Sequence, residues 1–314
     1  SCGVYHRAAL QTGKEGNLMA GSYYFYIFSN MAIFVALATL LHLQFGRTGI
    51  VNFGVVGFFG LGMYGFGVFL IQLNIPYFIA LLMAVALTGV ISFLLGLVIL
   101  KLDSQEVLVA TLAFATIIAD LVVVQKGVTK GVIGLGSVPF PIQAGLYSQH
   151  VFFIVVLIIA ALLIMYAKKL EQSPYGRLLI SIQDSELLSQ SLGKKTFREK
   201  LIFFTITSAA MGLLGALYAA NVHFLVPRLL GPGTTFTIWI ALIIGGRKKV
   251  FGGLLGVLVT VGIFDFLVET YVPIPTGQAQ LLPVIKMMVY GLTLLLVLMF
   301  KPSGLLGTSK KTTK

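Results

Sequence analysis

The sequence predicts an all-α, polytopic integral membrane protein of about eight to ten transmembrane helices, including a broken or re-entrant segment. Three observations carry that prediction. The chain has 314 residues, of which 58% are hydrophobic and 10% charged, and its mean hydropathy is +0.99. Soluble domains carry about a quarter charged residues, so a core of this size has no room for that much apolar surface and the bilayer must act as solvent. Apolar runs of about 20 residues, enough to cross a hydrocarbon core, recur along the whole length. Polar interruptions rich in Lys and Arg separate them, the longest being 168–200.

Taken in order, the apolar runs fall at about 22–45, 50–73, 77–100, 106–125, 150–167, 201–221, 236–246, 251–270 and 283–300. Gly46 and Arg47, then Lys101 to Asp103, then Gly245 to Lys249 punctuate them. The run at 236–246 is short for a full span and suits a bent or re-entrant element. Residues 1–21 read as an N-terminal tail and 308–314 as a basic C-terminal tail, with a membrane domain over 22–307. The first 18 residues lack a basic-then-apolar signal layout and read as a tail or an upstream extension of a chain starting near Met19.

Short loops rich in Lys and Arg stay on the cytoplasmic side. Segment 168–200 holds seven basic residues against four acidic ones, which places it in the cytoplasm. Alternating sides from there puts sixteen of the 22 Lys and Arg residues on the cytoplasmic face, and the N-terminus outside. The formal charge of +12 is thereby accounted for as orientation, not as nucleic-acid binding. Cys2 is the single cysteine and the four histidines are scattered, so no disulfide or metal site is expected.

Three groups of residues are candidates for function. Within 168–200, Ser173 and Pro174 mark a helix start, and Pro is tolerated in a first turn. Leu178, Leu179, Ile182, Ser185 and Glu186 then follow helical spacing, and Leu187, Leu188 and Leu192 continue an apolar stripe to a stop at Gly193. Such a helix either lies on the membrane surface or docks in a groove on a partner. Second, Gly54, Gly57, Gly60, Gly62, Gly65 and Gly67 repeat at two- to three-residue spacing, and Gly212, Gly215, Gly252, Gly253 and Gly256 recur similarly. These suit close helix packing in lipid or a broken helix lining a path. Third, Asp120, Asp265, Glu269 and Lys286 are ionisable groups within spans, where they pair with one another or meet a zwitterionic substrate. FGRTGIVNFG (45–54) and GGRKKVFGG (245–253) are loosely alike and hint at a parallel internal repeat.

Six patches occur in register: LHLQFGRTGIVNFGVVGFFGLGMYG (41–65), TLAFA (111–115), GLGSVP (134–139), SPYGRLLISIQDSELLSQSLG (173–193), KLIFFTITSAAMGLLGALYA (200–219) and FKPSGLLG (300–307). Together they resemble the branched-chain amino-acid ABC transporter permeases, specifically the LivM-like half of the permease pair, over roughly 22–307. The chain departs from that pattern at Gly245 to Lys249, where the family has a Gly-Gly-x-Gly-Ser/Thr turn, and at Glu186 to Leu188, where it has Glu-Ala-Ala.

The resemblance implies a multi-pass subunit of a prokaryotic inner-membrane importer for branched-chain or related amino acids. It implies a second, homologous permease subunit, two ATP-binding cassette ATPases docking from the cytoplasm, and an extracytoplasmic substrate-binding protein. The chain has no Gly-x-x-x-x-Gly-Lys-Ser/Thr loop, so ATP and Mg belong to the ATPases, and no cofactor or catalytic residue is expected here. The family's coupling region maps onto Pro174, Tyr175, Gly176, Arg177, Ile182, Asp184, Glu186, Leu192 and Gly193. A weakly polar translocation path is expected at Asn52, Gly54, Gly57, Gly60, Thr111, Phe114 and Thr116. The alternatives are a permease of the same family for urea or short amides, and a secondary transporter driven by an ion gradient.

Overall fold

The computed structural model describes residues 13–136, 138–141, 147–246, 250–264 and 281–300. The described residues are almost wholly helical. Helices α1 (Gly13–Thr48), α2 (Val55–Gly67, ending in a π turn over Val68–Gln72), α3 (Tyr77–Ile99) and α4 (Ser104–Val124) come first. A short α5 (Lys126–Thr129) precedes α6 (Ser148–Gln172), and the polar segment contributes α7 (Pro174–Asp184) and α8 (Glu186–Ser191). Then follow α9 (Thr196–Val222), α10 (Pro232–Gly245), α11 (Val250–Val257, with a π turn over Leu258–Phe264) and α12 (Leu281–Phe300).

Six of these helices are long and apolar enough to cross a bilayer, from Tyr24–Thr48 to Thr196–Val222. The expected short run is α10, whose 14 residues rise only about 21 Å at 1.5 Å per residue, less than a hydrocarbon core. Helix α1 begins at Gly13, inside the stretch read from sequence as a tail. Where the sequence expects one helix from Pro174 to Leu192, there are two, because Ser185 is extended (φ −157°) and caps α8 by accepting from the Leu188 N–H. Left-handed glycines close both α1 and α10, at Gly49 and Gly246, and the helix that follows each break ends in a π turn.

Helices α2 and α9 form the centre and pack along each other, with α1, α3 and α4 around them. Glycine permits the approach. A Cβ at Gly62 would overlap the Gly212 backbone, and one at Gly215 would overlap that of Phe59. Lipid supplies no hydrophobic drive between helices, so this close backbone contact and its dispersion energy hold the pair. Helix α3 shows the same logic: Ala80, Ala84, Thr88, Ser92 and Gly96 face the centre at four-residue spacing. Its large residues, such as Phe78, Leu82, Leu94 and Val98, face outward.

The two ends of the bundle differ. At one end Arg47 and His42 pair with Glu171, Lys101 Nζ lies 5.8 Å over the Phe197 ring, and Gln183 donates to the Phe45 carbonyl at 3.3 Å. These are segments that the charge count assigns to the cytoplasm. At the other end a two-residue strand β1 (Leu135–Gly136) pairs antiparallel with β2 (Phe224–Leu225), and Gln72 Nε2 donates to the Val128 carbonyl at 3.0 Å. All of these lie on the expected outer side.

Candidate functional site

At the basic end, α7 starts where Ser173 Oγ accepts the Gly176 N–H at 3.0 Å, with Pro174 in the first turn. Its apolar face turns inward, not toward a partner: Leu179 joins Leu43, Ala167, Leu170 and Phe203, and Ile182 is 1% exposed. A Cβ on Gly176 would overlap the Leu170 backbone, which explains glycine there. Tyr175 packs on the same cluster, and burial together with nearby Glu199 pushes its phenol up to about 12. Arg177 folds back to donate to the Gln172 carbonyl at 3.2 Å, while Pro174 and Asp184 face water.

Helix α8 behaves in the opposite way. Leu187, Leu188 and Leu192 are 76%, 62% and 73% exposed and form an apolar knob on an otherwise polar segment. The knob is held firmly. Ser189 Oγ donates to the Ser181 carbonyl at 3.0 Å, and Glu186 pairs with Lys200. The helix ends in a Schellman motif, in which the Lys194 N–H reaches the Ser189 carbonyl (3.1 Å) and the Gly193 N–H reaches that of Gln190 (2.8 Å). Gly193 sits at φ +77°, which glycine adopts without strain.

A buried polar junction lies below this end. Residues 49–54 between α1 and α2 are unwound, and Asn52 closes them. Its Oδ1 accepts the Gly54 N–H and its Nδ2 donates to Gln44 Oε1, both at 2.8 Å. Gln44 Nε2 in turn donates to Thr207 and Ser208 of α9 at 2.7 and 3.2 Å. The Trp239 indole donates to the Asn52 carbonyl at 3.1 Å and stacks on Phe53, and Thr111 Oγ1 accepts the Phe53 N–H at 3.0 Å. One six-residue break therefore ties together α1, α4, α9 and α10.

Of the expected path residues, Asn52, Gly54, Gly57 and Thr111 are thus packed between helices, Gly57 against Phe114 and Ala115, and Gly60 against Leu230. Thr116 alone is exposed among them. With Asp120 it lines a cavity of about 380 Å³ between α4 and the turn Pro227–Leu230 that leads into α10. Asp265, Glu269 and the Lys286 side chain lie outside the described residues, as do Arg247, Lys248 and Lys249. Sequence reasoning missed the contacts of Glu171 with Arg47 and His42. Their common basic side was the available signal. Among the described residues no three His, Cys, Asp or Glu side chains converge as a metal ion would require.

Six helices long and apolar enough to cross a bilayer, a glycine-packed centre, an unwound junction between the first two of those helices and a structured basic loop define a polytopic helical membrane protein. A family profile described as "Branched-chain amino acid transport system / permease component" matches residues 23–298, and the chain belongs to that family. It is a multi-pass plasma-membrane protein. It is 24% identical over 315 residues to the "Probable branched-chain amino acid transport permease protein LivM" of Methanocaldococcus jannaschii, covering 87% of this chain and 90% of that one. It is also 24% identical over 307 residues to the "High-affinity branched-chain amino acid transport system permease protein LivM" of Salmonella typhimurium and of Escherichia coli, covering 90% of this chain and 69% of each relative.

Proposed function

We propose that this chain is the membrane permease subunit of an ABC importer that brings branched-chain or related amino acids into the cell. The observation that carries the proposal is the α8 knob of Leu187, Leu188 and Leu192, exposed on the basic side yet fixed to the bundle. Three leucines in water at the end of a capped helix suit insertion into an apolar groove. The groove belongs to an ATP-binding cassette subunit, two of which bind ATP and Mg and dock on segment 168–200. A second homologous permease completes the membrane domain, and an extracytoplasmic binding protein delivers the cargo.

The loop is built to carry a push. Helix α7 is anchored to α1 through Gln183 and Phe45, and to α6 through the shared cluster of Leu43, Leu170 and Leu179. Glu171 at the end of α6 grips His42 and Arg47 of α1. Helix α1 runs directly into the break at 49–54, whose hydrogen bonds reach α4 and α10, and Gln44 of α1, which Asn52 holds, reaches α9. Displacement of α8 therefore moves rigid parts that border the cavity at the far end. Alternating access follows from ATP-dependent closure of the ATPases, received at α8.

The test is assembly. Leu188→Glu and Leu192→Glu, each placing a charge in the groove, should weaken co-purification with the ATPases by roughly thirtyfold, the scale of an interface hot spot of about 2 kcal/mol. Unchanged co-purification of both variants would remove α8 as the docking element.

A further inference from the structure

The cavity at the outer end of α4 presents a combination of side chains that neither packing nor lipid exposure explains. Asp120 lies one turn from the end of the helix, and Arg228 projects from the turn before α10 into the same space of about 380 Å³. Both side chains are exposed, and among the described residues neither makes an ion pair or hydrogen bond. A carboxylate on a spanning helix is too costly to leave against lipid, so this face of α4 borders water or protein. Leu112, Ala115 and Leu230 supply an apolar wall, and Thr116 and Thr235 add hydroxyl groups. The volume lies in the range of small-molecule sites.

We infer that this cavity is the outer reception site for the cargo, and that it recognises a zwitterionic amino acid with an apolar side chain. Asp120 takes the α-ammonium, Arg228 the α-carboxylate, and the wall of Leu112, Ala115 and Leu230 takes the aliphatic side chain. The inference rests on the proposed amino-acid transport and sharpens it, since urea and short amides carry neither formal charge and have no use for the opposed pair. Charge-assisted contacts to both ends of the backbone give orientation, while the wall distinguishes apolar from polar side chains. The site needs little affinity of its own, because a delivered amino acid has only to be held while the far end opens.

The test uses the complete transporter in liposomes, with Cys2→Ser removing the single native cysteine. Thr116→Cys, and Ala119→Cys as a second position, are labelled from outside with a membrane-impermeant thiol reagent. Leucine should slow labelling severalfold, whereas 4-methylpentanoate and isoamylamine, each leucine without one charged end, should not. Asp120→Asn and Arg228→Gln should each lower leucine uptake by about tenfold or more, the loss of one charge-assisted contact, and should abolish the protection. Equal protection by all three compounds, or none by leucine, overturns the site, and so does uptake within twofold of wild type in both variants. Loss of uptake without protection in the parent identifies a structural role and overturns it too. Protection is read on the chain whether or not uptake occurs, so failure of wild-type leucine uptake counts separately, against the transport reading.

Discussion

Replacing Gly215 with alanine tests the packing on which the bundle depends. The new Cβ would stand 2.8 Å from the Phe59 carbonyl carbon and 3.0 Å from the Met63 nitrogen, and would overlap the Phe59 carbonyl oxygen. These are backbone atoms of α2, so no rotamer change relieves the clash. Carbon pairs sit best at about 3.5–4.0 Å, so the carbonyl carbon alone asks for roughly 0.7–1.2 Å and the overlapped oxygen for more, and parting by over about 1 Å forfeits half or more of each contact's well of 0.1–0.2 kcal/mol. Over a few tens of contacts the loss is about 1–3 kcal/mol, the range measured for overpacked cores. Thermal unfolding in detergent micelles should show a Tm fall of ~5 °C. Gly212→Ala should fall comparably, because its Cβ would stand 2.7 Å from the Thr88 Cβ, which no rotation of that side chain moves. Gly127→Ala, where nothing lies within 4 Å, should match wild type. If Gly215→Ala melts with Gly127→Ala, the α2–α9 contact is not what holds the centre.

Other variants probe other parts. Asn52→Ala removes the hydrogen bonds to Gln44 and Gly54 and strands two buried groups. Each costs about 1–3 kcal/mol, and the emission of Trp239, the single tryptophan, should shift to the red as the break loosens. An unshifted spectrum with wild-type stability would show that Asn52 does not hold the junction. Gly193→Pro cannot reach φ +77° and loses the N–H donated to Gln190, so the end of α8 must rebuild. Glu186→Arg sets a cation against Lys200. Both should uncouple ATP hydrolysis from uptake while the subunit stays inserted, and normal uptake in the two together would count against α8 as the coupling element.

Spans were legible because crossing the bilayer needs length and apolarity, both local properties. The short α10 was visible for the same reason. Segment 173–193 was legible as a structured part with its start at Ser173 and its stop at Gly193. Its division was not, since helical spacing runs on through Ser185 and only the preference of Ser for helix starts marks the break. The division matters, because it turns Leu179 and Ile182 inward and leaves Leu187, Leu188 and Leu192 outside. Glycine spacing announced close packing, but the pairing of Gly62 with Gly212 is a long-range fact without local signature. The same holds for Gln44 with Thr207, and for Asp120 and Arg228 around one cavity.

The most direct measurement is leucine accumulation in liposomes holding this chain, its second permease, the two ATPases and the binding protein. Accumulation should require ATP and the binding protein, and should collapse with Leu188→Glu and Leu192→Glu together while the membrane subunits remain inserted. Accumulation by this chain alone on a proton or sodium gradient, indifferent to ATP and to those two leucines, would contradict it.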